Sequence, residues 1–443
     1  MILTIFNFIF LITSLGIIYY LKLKKVSLSK QILLSLSVGL ALGFLLKYSD
    51  TPPYLINILT FISDGYLALL KMLVIPLILT SIIHAILNLG SGKGNIKKLS
   101  FVTCFMLLGM TAFASLITII VGMAFSVGEG LQLPDVIATP THTYSGIVAT
   151  LLGMLPSNPI AIMAKENTIA VVLFAALLGI SARMLDIKDH DKMETFKNFI
   201  AALFAIVKKL TQIILNLTPY GILALISLLI LNQGTTILTG ILNFIIAMYV
   251  AMFLVLSMHS IILLCFGYNP FKFFKLASLP LFVAFTTRSS FGTLPVTEET
   301  LSDKFKMSQV VASFVPSIGT TIGMNACAGI FPAMLVVMTM TIMHEPITMT
   351  FILMVMFINA IASLGISGIP GTAYIAATVS LTSLQLPYSV IALVQGIDPI
   401  IDMGRTATNV SGVMTTALVV DRLLHTKTQR LKSDAIALSG VDT

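Results

Sequence analysis

Charge is scarce in this chain. Asp, Glu, Lys and Arg make up 10% of its 443 residues, against roughly a quarter in a soluble domain, and the shortage excludes a large solvated surface. Cysteine is scarcer still. Cys104, Cys265 and Cys327 are the only three, all in apolar segments and none in a C-x-x-C pair, so neither a disulfide framework nor a zinc knuckle is indicated. Each reads as a small buried hydrophobe. The opening run "MILTIFNFIFLITSLGIIYY" has no basic region before it and no A-x-A-like site after it. It is therefore expected to be a retained membrane helix rather than a cleaved signal.

What is present is apolar. Hydrophobic residues make up 57% of the chain and mean hydropathy is +1.01, with repeated runs near the ~20 residues that cross a bilayer. The chain reads as a polytopic membrane protein. Apolar segments fall at 2–21, 31–46, 65–89, 101–125, 169–185, 199–231 and 237–266, followed by a crowded region from 271 to 424. The net charge of +8 does not imply a nucleic-acid partner, because the basic residues lie in short clusters between these runs. Lys22, Lys24 and Lys25, then Lys93, Lys97 and Lys98, then Lys188, Lys192 and Lys197 mark cytoplasmic loops by the positive-inside rule. The connection 128–167 has Lys165 as its only basic residue and is expected outside. The polar tail 426–443 is expected in the cytoplasm.

Two stretches in the last third, "FTTRSSFGTLPVTEET" and "SLGISGIPGTAY", place Gly, Pro and hydroxyl residues inside apolar sequence. Such unpaired backbone is tolerated at membrane depth only where protein or a wet cavity surrounds it. Two comparable breaks predict a pair of re-entrant hairpins around a transporter's binding site, the alternative being two kinked helices with loose loops. A third break, "SIGTTIGMNACAG", predicts an unwound helix at the same depth.

The stretch "DPIIDMGRTATNVSGVM" carries the remaining signal. On a helix, Asp398, Asp402, Arg405, Thr406 and Asn409 fall at roughly 0°, 40°, −20°, 80° and 20°, one polar stripe on an otherwise apolar helix. A charge at mid-membrane costs at least ~2.5–3.5 kcal/mol, so the stripe faces a partner or a cavity. Mutual neutralisation of Asp398, Asp402 and Arg405 is one explanation, although it needs neither Thr406 nor Asn409. A carboxylate for an ammonium and a guanidinium for a carboxylate together describe a receptor for an amino acid. Half-helix N-termini at the hairpins would add N–H groups for the α-carboxylate, at Ser289, Ser290 and Gly368–Gly371.

With these motifs, "TRSSFGTLPVT", "GTTIGMNACAG", "SLGISGIPG" and "DMGRTATNVSG", together with "LLKMLVIPLILTSII", the chain resembles the dicarboxylate and amino acid:cation symporter superfamily, which includes the glutamate transporters. The likeness runs from about Leu28 to His425. It implies an all-α membrane fold with two re-entrant helical hairpins, built as a homotrimer whose scaffold holds transport domains that move like elevators. Residues 28–100 and 128–235 would form the scaffold and trimerisation helices. Residues 101–127 and 236–425 would form the transport domain, with hairpins near 271–300 and 346–380. Residues 1–27, an extra helix, would put the N-terminus outside.

The same resemblance assigns the ammonium to Asp402, a substrate carboxylate to Arg405, further substrate contacts to Thr406 and Asn409, and the holding of Arg405 to Asp398. Ser289 and Ser290 would meet the α-carboxylate, and Ile369 and Gly371 would lie in the gating second hairpin. Against the family's sodium sites this chain departs. Gly323, Asn325 and Val413 stand where sodium-binding Asn and Asp residues are expected, and Leu107 and Met110 where polar ligands are. Hard cations need oxygen ligands, so at least two sodium sites look dismantled. A site of main-chain carbonyls near Thr321, Ser363, Leu364 and Ile366 would remain, and the coupling cation would be a proton or a reduced complement of sodium.

The "GxNxCAG" and "DMGRTxxNVSG" patterns are most similar to the bacterial L-cystine uptake branch, which makes L-cystine the implied substrate and an acidic amino acid or C4-dicarboxylate the alternative. No cofactor is implied. A membrane hydrolase using Asp398 and Asp402 would leave both hairpins unexplained. "GSGKG" (Gly90–Gly94) lacks the Ser or Thr and the preceding strand of a phosphate loop. His259 reads as a packed or interfacial histidine, and Lys208 and Lys209 as snorkelling or scaffold-lining residues.

Overall fold

Proline decides where the long apolar runs break. The computed structural model describes residues 2–49, 52–88, 95–131, 158–164, 168–234, 236–365, 373–387 and 389–424, and every regular element among them is helical. The chain opens with α1 (Ile2–Leu23) and α2 (Leu28–Lys47). The single apolar segment expected at 65–89 is instead α3 (Pro53–Met72) and α4 (Val74–Asn88), separated at Leu73. Pro76 has no N–H, and its ring would clash with the Met72 carbonyl in a continuous helix. Expected run 199–231 divides in the same way. It becomes α8 (His190–Leu215) and α9 (Thr218–Gln233), with Pro219 standing four residues after Leu215.

Between them lie α5 (Asn95–Ala124), α6 (Pro159–Ala164) and α7 (Thr168–Lys188). The glycine face of α2 packs tightly on α9. A Cβ on Gly39 would sit 2.9 Å from the Leu223 carbonyl oxygen of α9, so only glycine allows that approach. α10 (Thr236–Cys265) leads into α11 (Pro270–Thr287), which turns at Arg288 and Ser289 into α12 (Ser290–Glu299), and α11 and α12 pack on one another. A π turn at Thr300–Lys304 precedes α13 (Gln309–Gly319).

The third expected break is present. After Gly319 the helix stops, Gly323 takes φ +69°, and the chain resumes through a π-helical segment, Asn325–Ile330, into α14 (Phe331–Ile342). Pro332 again removes an N–H at the junction. α15 (Met349–Ala362) and α16 (Ala373–Ser383) also pack on one another. They are tied by the Ser380 hydroxyl donating to Asn359 Oδ1, while Asn359 Nδ2 donates to Ser115 Oγ of α5 at 3.0 Å. The segment joining them, 366–372, lies outside the described residues. The described chain ends with α17 (Val390–Gln395) and α18 (Asp398–Leu424).

Packing divides the helices into two groups. α1 lies on α2, α2 and α3 lie on α9, and α4 lies on α7 and α8; α18 is surrounded by α5, α10, α11 and α13. The groups meet where α4 touches the turn Ser363–Gly365, where α7 touches α16, and where α9 touches α17. Among the described residues, six helical stretches are long and apolar enough to cross a membrane. One of these, Asn325–Ile342, is 89% buried, whereas Phe6–Leu23 is 22% buried. The first is enclosed by protein, and the second turns most of its apolar surface outward, as a lipid-facing helix does. This is a multi-pass membrane protein.

Candidate functional site

Long side chains on a helix lean toward its N-terminus, so Arg405 reaches back over the two turns that carry Asp402 and Asp398. Its Nη2 donates to Asp402 Oδ1 at 2.9 Å and to Asp398 Oδ1. Asp398 stands in the first turn of α18, where the helix dipole favours a carboxylate. Arg405 is the largest fully buried side chain among the described residues, and its Cζ lies 4.3 Å from the centre of the Phe331 ring. The mutual neutralisation that the spacing allowed is therefore real. It is also incomplete.

A second guanidinium completes the charge balance, and the sequence reading did not assign it a role. Arg288, in the turn between α11 and α12, holds its Nε 3.8 Å from Asp402 Oδ2. Two aspartates thus face two arginines, and the buried cluster is formally neutral. Its hydrogen bonding remains unfilled, because Asp402 Oδ2, Arg405 Nε and Nη1 and Arg288 Nη1 are all buried without a partner. Buried polar atoms are nearly always satisfied, so four orphans within one ionic cluster mark a ligand position. Arg288 has a left-handed backbone, φ 56° and ψ 30°. That conformation costs a non-glycine residue roughly 1 kcal/mol and points to function where it persists. The available signal was an arginine inside an apolar hairpin.

The remaining expected residues are engaged elsewhere or line a neighbouring cleft. Ser289 Oγ accepts the Gly292 N–H at 3.0 Å and so caps α12. Ser290 is buried, lining a narrow cleft with Leu294, Thr297, Gly319, Thr320 and Val413. The Thr406 hydroxyl donates to the Asp402 carbonyl of its own helix at 2.8 Å. Asn409 Oδ1 accepts the N–H groups of Ala326 and Cys327 at 2.8 and 3.3 Å, and its Nδ2 lies 3.0 Å from Cys327 Sγ. Asn409 thereby holds the π segment where the broken helix resumes. Asn409→Ala is expected to lower stability by about 1–3 kcal/mol, the cost of stranding buried N–H groups. Thermal unfolding in detergent measures it, and an unchanged midpoint would show that these bonds are replaced.

Ile369 and Gly371, and Ile366 with them, lie outside the described residues, as do Gly368 and the phosphate-loop decoy at 90–94. Of the expected carbonyl cation site, the Ser363 carbonyl accepts the Gly323 N–H at 3.3 Å. The Thr321 and Ser363 hydroxyls donate to Ile318 and Ala360 carbonyls at 2.9 and 2.6 Å, and Leu364 packs in an apolar cluster beside α4 and α7.

Where sodium ligands were expected to be missing, the space is filled with carbon. Leu107, Met110 and Val413 form one buried cluster with Met258, Ile262 and Ile318 packed on it. A Cβ on Gly323 would lie 2.9 Å from the Leu107 carbonyl carbon, so α5 reaches the broken helix there without a gap. Asn325 is fully buried with both amide atoms unpartnered. His259 is buried too, with Nδ1 3.2 Å from Ser411 Oγ and Nε2 without a hydrogen-bond partner. Lys208 has a definite partner, its Nζ standing 4.8 Å over the Phe291 ring at the first hairpin.

Comparison with known proteins identifies the family. The model of the sodium:dicarboxylate symporter family matches residues 28–423. The chain is similar to the L-cystine uptake protein TcyP of Bacillus cereus, at 36% identity over 437 residues and 94% of each chain. The Bacillus anthracis protein of that name matches at the same identity and coverage. The one from Shouchella clausii is 34% identical over 95% of this chain and 94% of its own.

Proposed function

Because this chain belongs to the sodium:dicarboxylate symporter family, a family of transporters and not of enzymes, we propose that it is a secondary active importer of L-cystine. The observation that carries the proposal is the neutral buried cluster of Asp398, Asp402, Arg405 and Arg288 with its four unfilled hydrogen-bonding atoms. A zwitterion fills them with matching charge, its ammonium on Asp402 and its carboxylates on guanidinium groups. Ser289 and Ser290 stand at the N-terminus of α12, at the same tip. The hydrolase reading is dropped, since both aspartates are held by arginine.

In this reading the two packing groups are scaffold (28–100 and 128–235) and transport domain (101–127 and 236–425), with residues 1–27 added outside them. The protein works as a homotrimer in which each transport domain carries its substrate past the scaffold as an elevator. Radiolabelled L-cystine taken up by proteoliposomes of the purified chain tests the assignment. Uptake of glutamate, aspartate or a C4-dicarboxylate with no competition by cystine would replace it with the acidic-substrate alternative.

Coupling follows from the carbon-filled cluster. With Leu107, Met110 and Val413 where oxygen ligands would be needed, uptake is expected to persist when choline replaces sodium on both sides. It is expected to rise with an inward proton gradient. A strict sodium requirement with no response to the proton gradient would refute proton coupling.

A further inference from the structure

Two guanidinium groups from different elements meet one carboxylate, yet neither is used up by it. Arg405 Nη2 bonds Asp402 Oδ1 from within α18, while Arg288 approaches Oδ2 from the hairpin turn. Were Arg288 there only to neutralise Asp402, its fork would close on the carboxylate. Instead Nε stands 3.8 Å away, near enough for attraction but too far for a hydrogen bond. Its Nη1 is buried and unpartnered, as are Nε and Nη1 of Arg405 and Oδ2 of Asp402. The left-handed backbone at Arg288 keeps this arginine beside Ser289 and Ser290, at the N-terminus of α12.

We propose that Arg288 is a second carboxylate-binding residue, so that the site grips its substrate at both ends. One carboxylate lies on Arg288 and the start of α12, the other on Arg405, and an ammonium lies on Asp402 between them. This rests on the reading of the site as a cystine carrier and adds what sets its specificity. Cystine is two amino acids joined through sulfur, with two identical carboxylates, and its two-fold symmetry lets either one take either arginine. A single guanidinium would leave the second carboxylate without a partner at membrane depth, where charge is expensive.

The test uses the purified full chain and two ligands in calorimetry. One is L-cystine, and the other is the mixed disulfide of L-cysteine with cysteamine, which keeps the disulfide and both ammonium groups but lacks one carboxylate. The wild-type protein is expected to prefer cystine by about tenfold or more, the worth of one charge-assisted contact. Arg288→Gln is expected to bring that ratio to within about twofold of unity, since one carboxylate of cystine then has no partner. An unchanged ratio in the variant, whatever its absolute affinities, overturns the proposal, because Arg288 would then act only on Asp402. Equal binding of both ligands by the wild type also overturns it and leaves the cystine reading standing. Failure of the wild type to bind either ligand overturns both. Should Arg288→Gln not fold, Arg288→Met, which keeps the side chain's length, is read by the same ratio.

Discussion

Arg405→Ala is expected to abolish uptake and to lower the unfolding temperature in detergent more than any other single change in the site. Arg405 is fully buried and bonds both Asp398 and Asp402. Removing it strands the buried Asp398 and leaves Asp402 with Arg288 alone, and breaking a buried pair in this way costs about 3–5 kcal/mol. Loss of the guanidinium over Phe331 adds to that, up to about 2 kcal/mol for a desolvated contact. A second variant separates stability from binding. Arg405→Ala combined with Asp398→Asn removes the stranded charge, so part of the lost stability should return while uptake stays absent. Uptake that survives in the single variant would show that Arg405 holds the helix and reads no substrate.

Val413→Asp is expected to be nearly as costly, for the opposite reason. Here a carboxylate is restored to the position where the family resemblance places one, but its surroundings no longer suit it. Val413 packs with Leu107 and Met110, and a Cβ on Gly319 would lie 2.9 Å from its Cγ1. An ion placed among these groups loses its hydration and gains no counter-charge, a penalty of several kcal/mol. Sodium should not restore the loss, because leucine and methionine side chains offer no hard oxygen. Unfolding midpoints in sodium and potassium chloride at equal ionic strength give the comparison. A rise specific to sodium would mean that enough oxygen ligands remain, and the claim that carbon has filled the cation site would be withdrawn.

Most of the architecture was legible because it depends on short-range rules. Membrane segments follow from transfer energies averaged along the chain, and this averaging is why the breaks at Leu73 and at Asn216–Leu217 escaped notice. Hydropathy does not register a proline's missing N–H. The hairpin turn at Arg288–Ser289 and the unwound stretch after Gly319 were legible from Gly, Pro and hydroxyl residues standing where a spanning helix has none. That Leu107, Met110 and Val413 offer no oxygen to a cation was legible from side-chain type alone, and they pack as one buried apolar cluster.

The polar stripe shows where such reading stops. Helical period placed Asp398, Asp402, Arg405, Thr406 and Asn409 on one face, and that much needed no coordinates. What stands opposite a face is a different question, because ion pairs and hydrogen bonds act over a few ångströms between elements far apart in the chain. Asn409 turned out to hold the broken helix, Thr406 to bond its own backbone, and Arg288 to join Asp402 from a hairpin turn. A wheel supplies direction. The neighbour in that direction is chosen by the packing of the whole bundle.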